Sequence, residues 1–128
     1  MSDIREGLSV IHRRYVPYSH AHYGGNLVDG AYVLALFGDV VTELAIRLDG
    51  DEGLFASYSE VSFVAPVYGG DIIEVSAVCT RIGNRSRTVT LRAEVHCRAT
   101  PANGPSAATV FSEPLLVTTA IGTVVIPA

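Results

Sequence analysis

The amino-acid sequence predicts an α+β fold in which one long central helix is wrapped by a curved antiparallel sheet of about five strands, in a dimeric protein. The chain has 128 residues, a length typical of a single domain spanning 1–128. One segment is apolar on nearly every side of a helix, and five others are rich in β-branched residues. Such a helix must be covered almost all round, by the sheet and by a second chain.

The predicted element order is one strand, one helix and four further strands. The first strand falls in 7–16, the helix in 27–48, and the remaining strands in 54–67, 71–83, 86–99 and 114–126. Apolar residues alternate along 71–79, which is the period of a strand with one buried face. Gly83-Asn84 is typical of a hairpin turn, and TPANGPSAAT at 100–109 is predicted to be the one long loop.

The start of the predicted helix has the residues of an anion-binding turn. Asn26 is a good N-cap, Asp29 is a short capping-box partner, and Gly24 and Gly25 permit unusual backbone angles just before it. Free N–H groups at the positive end of the helix dipole are suited to an oxyanion. The alternative is that these residues form only a turn and a cap.

One polar stripe is predicted along the otherwise apolar helix, formed by Asp29, Tyr32, Leu36, Asp39, Glu43 and Arg47. The alternative role of the stripe is a solvent-facing edge in which Glu43 pairs with Arg47 at i,i+4. However, Asp39 and Glu43 are flanked by apolar residues. Two like charges in a partly dry site are expected to raise the pKa of at least one carboxyl, which suits general acid–base catalysis.

The helix is too long for both candidate sites to act on one atom within a single chain. Thirteen residues separate Asn26 from Asp39, or roughly 20 Å at the helical rise of 1.5 Å per residue. If both act, they belong to different subunits of a dimer.

Composition excludes several classes of function. The net charge of −4 argues against nucleic acid as a partner, and all nine basic residues are arginine, which excludes lysine-based chemistry. Three carboxylates (Asp29, Asp39 and Glu43) and an arginine inside 27–48 argue against a membrane span. Cys79 and Cys97 lie in strand-like segments, and no secretory signal follows the start, so a cytoplasmic protein is expected.

Several motifs resemble those of the β-aminoacyl-CoA ammonia-lyases of the hotdog superfamily. They are AHYGGNLVDGA, FGDVVTEL, LFASYSEVSFVAPVYGGD and IGNRSR, and the likeness extends from about Tyr15 to Gly122. The pattern F-x-x-P-V-x-x-G-D at 63–71 is shared with many hotdog thioesterases. The resemblance implies a hotdog fold and reversible removal of ammonia from a 3-aminoacyl thioester to give a 2-enoyl thioester.

That reaction needs a base for the Cα proton, an acid for the leaving amine and a site for the enolate oxygen. We expect Glu43 to be the acid–base carboxylate, with Asp39 as its partner or as an ammonium contact. His22 and Tyr23 are candidates to position the amine or shuttle a proton, or else serve in packing and capping.

The expected substrate-binding residues are Gly24, Gly25, Asn26, Tyr58, Asn84, Arg85 and Arg87. The first three supply the oxyanion site, and Tyr58 is a candidate to face it from the strand after the helix. Arg85 and Arg87 beside Asn84, with Arg81 nearby, are candidates for the phosphates of coenzyme A, or else a solvated hairpin face.

Coenzyme A enters only as part of the substrate, so no separate cofactor is expected. The sequence indicates no third metal ligand to accompany His20 and His22, so no metal is expected. The expected assembly is a homodimer or a trimer of dimers. The alternatives are an acyl-CoA thioesterase, an enzyme that adds an amine or amino acid to an enoyl thioester on coenzyme A or a carrier protein, and a non-enzymatic binding module.

Overall fold

The computed structural model describes residues 3–128 and confirms the predicted α+β hotdog architecture. Within that range the elements are β1 Ser9–Tyr15, β2 Leu27–Val28, α1 Gly30–Asp49, β3 Leu54–Phe63, β4 Val67–Tyr68, β5 Ile72–Ile82, β6 Ser86–Ala99 and β7 Ala108–Val125. Five antiparallel strands form the main sheet in the order β1-β5-β6-β7-β3, and β2 pairs with β4 in a separate ribbon. The sheet wraps the helix as the apolar pattern predicts.

The core lies between α1 and the inner face of the sheet. Alternate residues of β5 and β6 are buried, namely Ile73, Val75, Ala77 and Cys79 on β5, and Val89, Leu91, Ala93 and Val95 on β6. The helix contributes Val33, Leu36, Phe37, Val40, Val41, Leu44, Ala45 and Leu48. The buried face of the strands, with its two-residue period, therefore packs against the buried face of the helix, with its 3.6-residue period.

The helix begins later than predicted. Asn26 is not its N-cap: Gly24–Asn26 form a short 3₁₀ turn in which Gly25 and Asn26 have left-handed φ values of 72° and 64°. Leu27 and Val28 then pair with Tyr68 and Val67 across the ribbon. This pairing keeps the segment extended, and the helix starts at Gly30 with Asp29 as N-cap.

The far end of α1 is anchored to the sheet by charge. Gly50 ends the helix in a left-handed conformation, and its N–H donates to the Ile46 carbonyl at 2.8 Å. Asp49 accepts hydrogen bonds from Arg5 and from two guanidinium nitrogens of Arg87, each at 2.8 Å.

Among the described residues, no helix combines the length and apolarity needed to cross a membrane.

Strand β7 is longer than predicted, because it starts at Ala108 and not at 114. Residues Ala108, Thr109 and Val110 pair with Ala99, Arg98 and Cys97 of β6, so part of the predicted loop is strand. The predicted hairpin at Gly83 is confirmed by its N–H, which donates to the Ser86 carbonyl at 2.8 Å.

Candidate active site

The start of α1 presents backbone N–H groups beside a pocket. Asp29 has an extended backbone, with φ of −71° and ψ of 154°. Its carboxylate accepts no hydrogen bond from the N–H groups of the first helical turn. The N–H of Tyr32 donates to the Asp29 carbonyl at 3.3 Å. Gly30, as the first helical residue, has no partner for its N–H within the helix. Its N–H is therefore available at the positive end of the dipole.

The helix-start pocket, as we call it, has a volume of about 390 Å³. Its lining comes from the helix start and from the segment after β3, and comprises Tyr23, Leu27, Val28, Asp29, Gly30, Val33, Phe63, Val64, Ala65, Pro66, Val67 and Thr118. Gly30 allows the ring of Phe63 to lie close to the backbone, because a Cβ at residue 30 would be 2.5 Å from Phe63 Cε1. The pocket is mainly apolar, and Asp29 and Gly30 supply polar groups at its wall.

His22 and Tyr23 lie near the helix start, as the sequence predicts. His22 Nε2 is 3.5 Å from Asp29 Oδ2, and the His22 ring stacks on Tyr23 with centroids 4.4 Å apart. Tyr23 lines the helix-start pocket. Asp29, predicted as a capping partner and as part of the polar stripe, is thus close to both the pocket and His22.

The 3₁₀ turn of Gly24–Asn26 lies before α1 and is hydrogen-bonded to the segment after β4 through Asn26. Asn26 Nδ2 donates to the Gly69 carbonyl at 3.0 Å, and the Gly69 N–H donates back to the Asn26 carbonyl at 3.1 Å. Gly25 and Asn26 border a larger groove of about 930 Å³, which Tyr15, Tyr18, Tyr68, Arg98 and the segment 99–108 also line. The prediction that these three residues supply the free N–H groups of the helix start is therefore wrong, because α1 begins at Gly30.

The two carboxylates on the helix differ in their surroundings. Asp39 is exposed. Glu43 is held on both oxygens, since His12 Nε2 lies 2.8 Å from Oε1 and Arg47 Nε lies 2.8 Å from Oε2. The hydrogen bond from His12, followed by that from Arg47, holds the pKa of the Glu43 carboxyl below its usual value. The expectation of a raised pKa is thus wrong for Glu43, because the two donors outweigh the effect of partial burial, which raises the pKa.

His12 is the residue of this cluster that the sequence analysis missed. Strand alternation contained the signal, because His12 is two residues after the buried Val10 and so shares its face. That face packs on α1, which brings His12 to Glu43.

Along the helix, Gly30 and Glu43 are thirteen residues apart, or about 20 Å at 1.5 Å per residue. One chain therefore does not bring its own helix start and Glu43 to one reacting atom, in agreement with the distance predicted from sequence.

Tyr58 is not among the residues that line the helix-start pocket. Its ring packs against Phe55 with centroids 4.6 Å apart, and burial raises the pKa of its hydroxyl. It pairs with Gly122 of β7 in the sheet. The structure therefore places Tyr58 in packing within this chain.

The hairpin arginines separate into two kinds. Asn84 and Arg85 are exposed, and Arg85 Nε donates to the Ile126 carbonyl at 3.1 Å. Arg87 is 6% exposed and forms a bidentate pair with Asp49. The prediction that Arg87 binds phosphate is corrected, because its guanidinium is buried and already neutralised.

No three His, Cys, Asp or Glu side chains in the described part of the chain are grouped so that they could bind a metal ion. His20 stacks on Tyr32 with ring centroids 4.4 Å apart, and His22 lies beside Asp29.

Several known proteins are similar to this chain in sequence and in fold. A family model described as the thioesterase superfamily matches residues 25–100. The chain is 53% identical over 108 residues to a 3-aminobutyryl-CoA ammonia lyase of Acetoanaerobium sticklandii, covering 84% of this chain and 85% of the relative. The β-alanyl-CoA:ammonia lyase of Clostridium propionicum superposes with a TM-score of 0.89 at 37% identity, covering 94% and 86% of the two chains.

More distant structures share the fold. A hexameric hotdog thioesterase of Campylobacter jejuni superposes with a TM-score of 0.75 at 20% identity, covering 91% of this chain and 81% of the other. These matches place the chain in the thioesterase superfamily with the hotdog fold, as a member of the family that contains the 3-aminobutyryl-CoA and β-alanyl-CoA ammonia lyases.

Proposed function

We propose that this protein is a carbon–nitrogen lyase that reversibly eliminates ammonia from a 3-aminoacyl-CoA thioester to give a 2-enoyl-CoA. The observation that carries the proposal is the 53% identity, over most of the chain, to a 3-aminobutyryl-CoA ammonia lyase. The structural match to the β-alanyl-CoA:ammonia lyase supports the same reaction class.

In the proposed reaction, the thioester carbonyl oxygen lies at the start of α1 and accepts a hydrogen bond from the N–H of Gly30. A carboxylate removes the Cα proton, and the electron pair moves toward the carbonyl oxygen as an enolate. As the enolate reforms the carbonyl, the Cα–Cβ double bond forms and the Cβ–N bond breaks, and the protonated amino group leaves as ammonia with the electron pair of that bond. Backbone donors at the helix start stabilise the negative charge while it is on oxygen.

Two carboxylates are assigned to the proton transfers. We assign Glu43 as the base, because it is a carboxylate that His12 and Arg47 hold in place, and Asp39 as its partner or as the contact for the departing amine. His22 and Tyr23 at the helix start are proposed to orient the amine. Since Gly30 and Glu43 are about 20 Å apart along one helix, the proposed site combines the helix start of one subunit with the carboxylates of another.

The same argument proposes an assembly of at least two chains. The face of α1 away from the sheet exposes Ala31, Ala35 and Ile46. A second copy that covers this face would bring two helices together and complete two shared sites. A homodimer, or a trimer of dimers, satisfies this requirement.

Coenzyme A is proposed as part of the substrate, with no additional cofactor. Arg85 and Arg81 near the hairpin are exposed and remain the candidates for its phosphates, with Asn84 beside them. A cytoplasmic location is part of the proposal, since both Cys79 and Cys97 are free thiols.

Thioester hydrolysis is the second candidate, favoured by the match to the thioesterase superfamily. Incubation with crotonyl-CoA and ammonia separates the two. A lyase consumes the enoyl-thioester absorbance and adds the mass of ammonia while coenzyme A stays attached. Release of free thiol with no amine adduct would contradict the proposed elimination and establish hydrolysis.

A further inference from the structure

His12 reaches from β1 to the outward carboxylate of Glu43 on α1. Its Nε2 lies 2.8 Å from Glu43 Oε1, and Arg47 Nε lies 2.8 Å from Oε2. The His12 side chain is 16% exposed, whereas that of Glu43 is 39% exposed. The imidazole therefore sits behind the carboxylate and holds it from the protein side, and part of the carboxylate remains open to solvent.

Arg14 indicates which His12 nitrogen bears the proton. Arg14 Nη2 lies 3.5 Å from His12 Nδ1, and a guanidinium only donates hydrogen bonds. Nδ1 is thus the acceptor in that contact, so Nε2 carries the hydrogen and donates it to Glu43. The charged groups around the pair are Arg14 on β1 and Arg47 on α1, and the adjacent strand β5 places the apolar Val75 opposite His12.

We infer that His12 is a positioning residue for Glu43, which it holds ionised and in one orientation for removal of the substrate proton. This inference rests on the proposed function, in which Glu43 is the base. Arg47 is a long, 61% exposed side chain on the same helix, and its exposed ion pair is weakly restraining. His12 is less exposed and lies on a strand, so it restrains the orientation of the Glu43 carboxylate more strongly than Arg47 does.

The inference makes a pH-dependent prediction. Hydrogen-bond donation by His12 favours the charged carboxylate, and its removal raises the pKa of Glu43 toward the ordinary value. Glu43 then becomes protonated at a higher pH, and a protonated carboxyl cannot accept the Cα proton. The acid limb of the kcat profile should therefore move upward, and turnover should fall most below neutrality.

The test measures kcat for elimination from 3-aminobutyryl-CoA against pH for the wild type, His12→Phe, His12→Gln and Glu43→Gln. His12→Phe removes the donor, and His12→Gln keeps an amide donor on a side chain that does not titrate. His96→Gln is the matched control, since His96 is a strand histidine 3.6 Å from another glutamate, Glu74. Carbon NMR titration of the Glu43 carboxyl in the same proteins gives a readout that does not depend on activity.

We expect His12→Phe to lose turnover several-fold near pH 4, where a carboxyl of ordinary pKa is largely protonated, and much less at pH 8, with the Glu43 carboxyl titrating at a higher pH. His12→Gln should recover part of both changes, and His96→Gln should match the wild type. A wild-type acid limb in His12→Phe, beside an inactive Glu43→Gln, overturns the inference alone. A fully active Glu43→Gln overturns both this inference and the assignment of Glu43 as base.

A wild type that eliminates no ammonia overturns the proposed function, and the NMR titration then decides the coupling by itself. An unchanged Glu43 titration in a folded His12→Phe protein overturns the inference in that case. Circular dichroism establishes folding, and His12→Ala, which also removes the donor, replaces His12→Phe if the larger apolar ring prevents it.

Discussion

At the scale of single residues, the Asp49 carboxylate joins three parts of the fold. It ends α1, it accepts two hydrogen bonds from Arg87 at the start of β6, and it accepts one from Arg5 near the amino terminus. Its side chain is 9% exposed and that of Arg87 is 7% exposed. A buried pair of this kind is costly to break, because removal of one charge leaves the other without compensation.

We expect Arg87→Met to lower the free energy of unfolding by about 3 kcal/mol. This is the low end for a broken buried pair, because Arg5 still donates to Asp49. Urea unfolding at a fixed protein concentration measures the loss. Arg85→Met is the matched control on the same hairpin, and it should cost well under about 1 kcal/mol. Equal losses in the two variants would contradict the assignment of Arg87 to the core.

The same carboxylate makes stability depend on pH. The Arg87 hydrogen bonds hold the pKa of Asp49 below its usual value in the folded chain. The stability that this gives is fully present above the unfolded pKa of about 3.9 and is lost as pH falls through the folded pKa. The stability difference between wild type and Asp49→Asn should therefore be largest near pH 7 and shrink below pH 4. A difference that stays constant from pH 7 to pH 3, or that appears equally in the exposed control Glu52→Gln, would contradict this.

At the scale of elements, the turn before α1 sets where the helix starts. Asn26 combines a left-handed φ of 64° with a side-chain hydrogen bond to the Gly69 carbonyl at 3.0 Å. The turn directs Leu27 and Val28 along β4 before the chain enters the helix at Gly30. Both the helix-start pocket and the larger groove border this segment, so its conformation shapes two cavities.

Two substitutions separate the roles of Asn26. Asn26→Gly loses only the hydrogen bond and should cost about 1 kcal/mol. Asn26→Ala loses the same bond but keeps a Cβ in the left-handed region, so it should be about 1–2 kcal/mol less stable than Asn26→Gly. Thermal and urea unfolding measure both. If the two variants are equally stable, the left-handed conformation of residue 26 does not contribute to the difference.

Local periodicity explains which features were predictable from sequence. The alternation on β5 and the apolar run of α1 predicted a strand and a helix correctly, although α1 begins at Gly30 and not at residue 27. Gly24, Gly25 and Asn26 suit a helix cap and a left-handed turn equally well. The pairing of β2 with β4, which joins segments about forty residues apart, decided between them.

Strand alternation also bears on Arg87, whose predicted role was wrong, and on His12, which the sequence analysis missed. Arg87 has the same parity as the buried Val89 and Leu91, and His12 has the same parity as Val10. Alternation thus assigned both to the inner face, while charge and the nearby turn favoured an exposed Arg87. The pair with Asp49 could not be predicted, because it needs the distance between the helix end and β6.

At the scale of the whole molecule, the proposed site depends on two chains. The N–H of Gly30 is testable by itself, because proline is well accepted as the first helical residue and Asp29 before it is extended, with ψ of 154°. Gly30→Pro removes the N–H and keeps the helix. Gly30→Ala is its matched control, since it places a Cβ near Phe63 in the same way and keeps the N–H.

We expect Gly30→Pro to reduce kcat about 10²–10³-fold, as loss of one oxyanion donor does, with a far smaller loss for Gly30→Ala. Mixed assemblies then test the shared site. A heterodimer of one Gly30→Pro chain and one Glu43→Gln chain has one site with both defects and one with neither. Its activity should approach half that of the wild type, although each parent is poor. Native mass spectrometry counts the heterodimers after co-refolding, and heterodimers without recovered activity would show that the helix start and Glu43 do not act on one substrate across two chains.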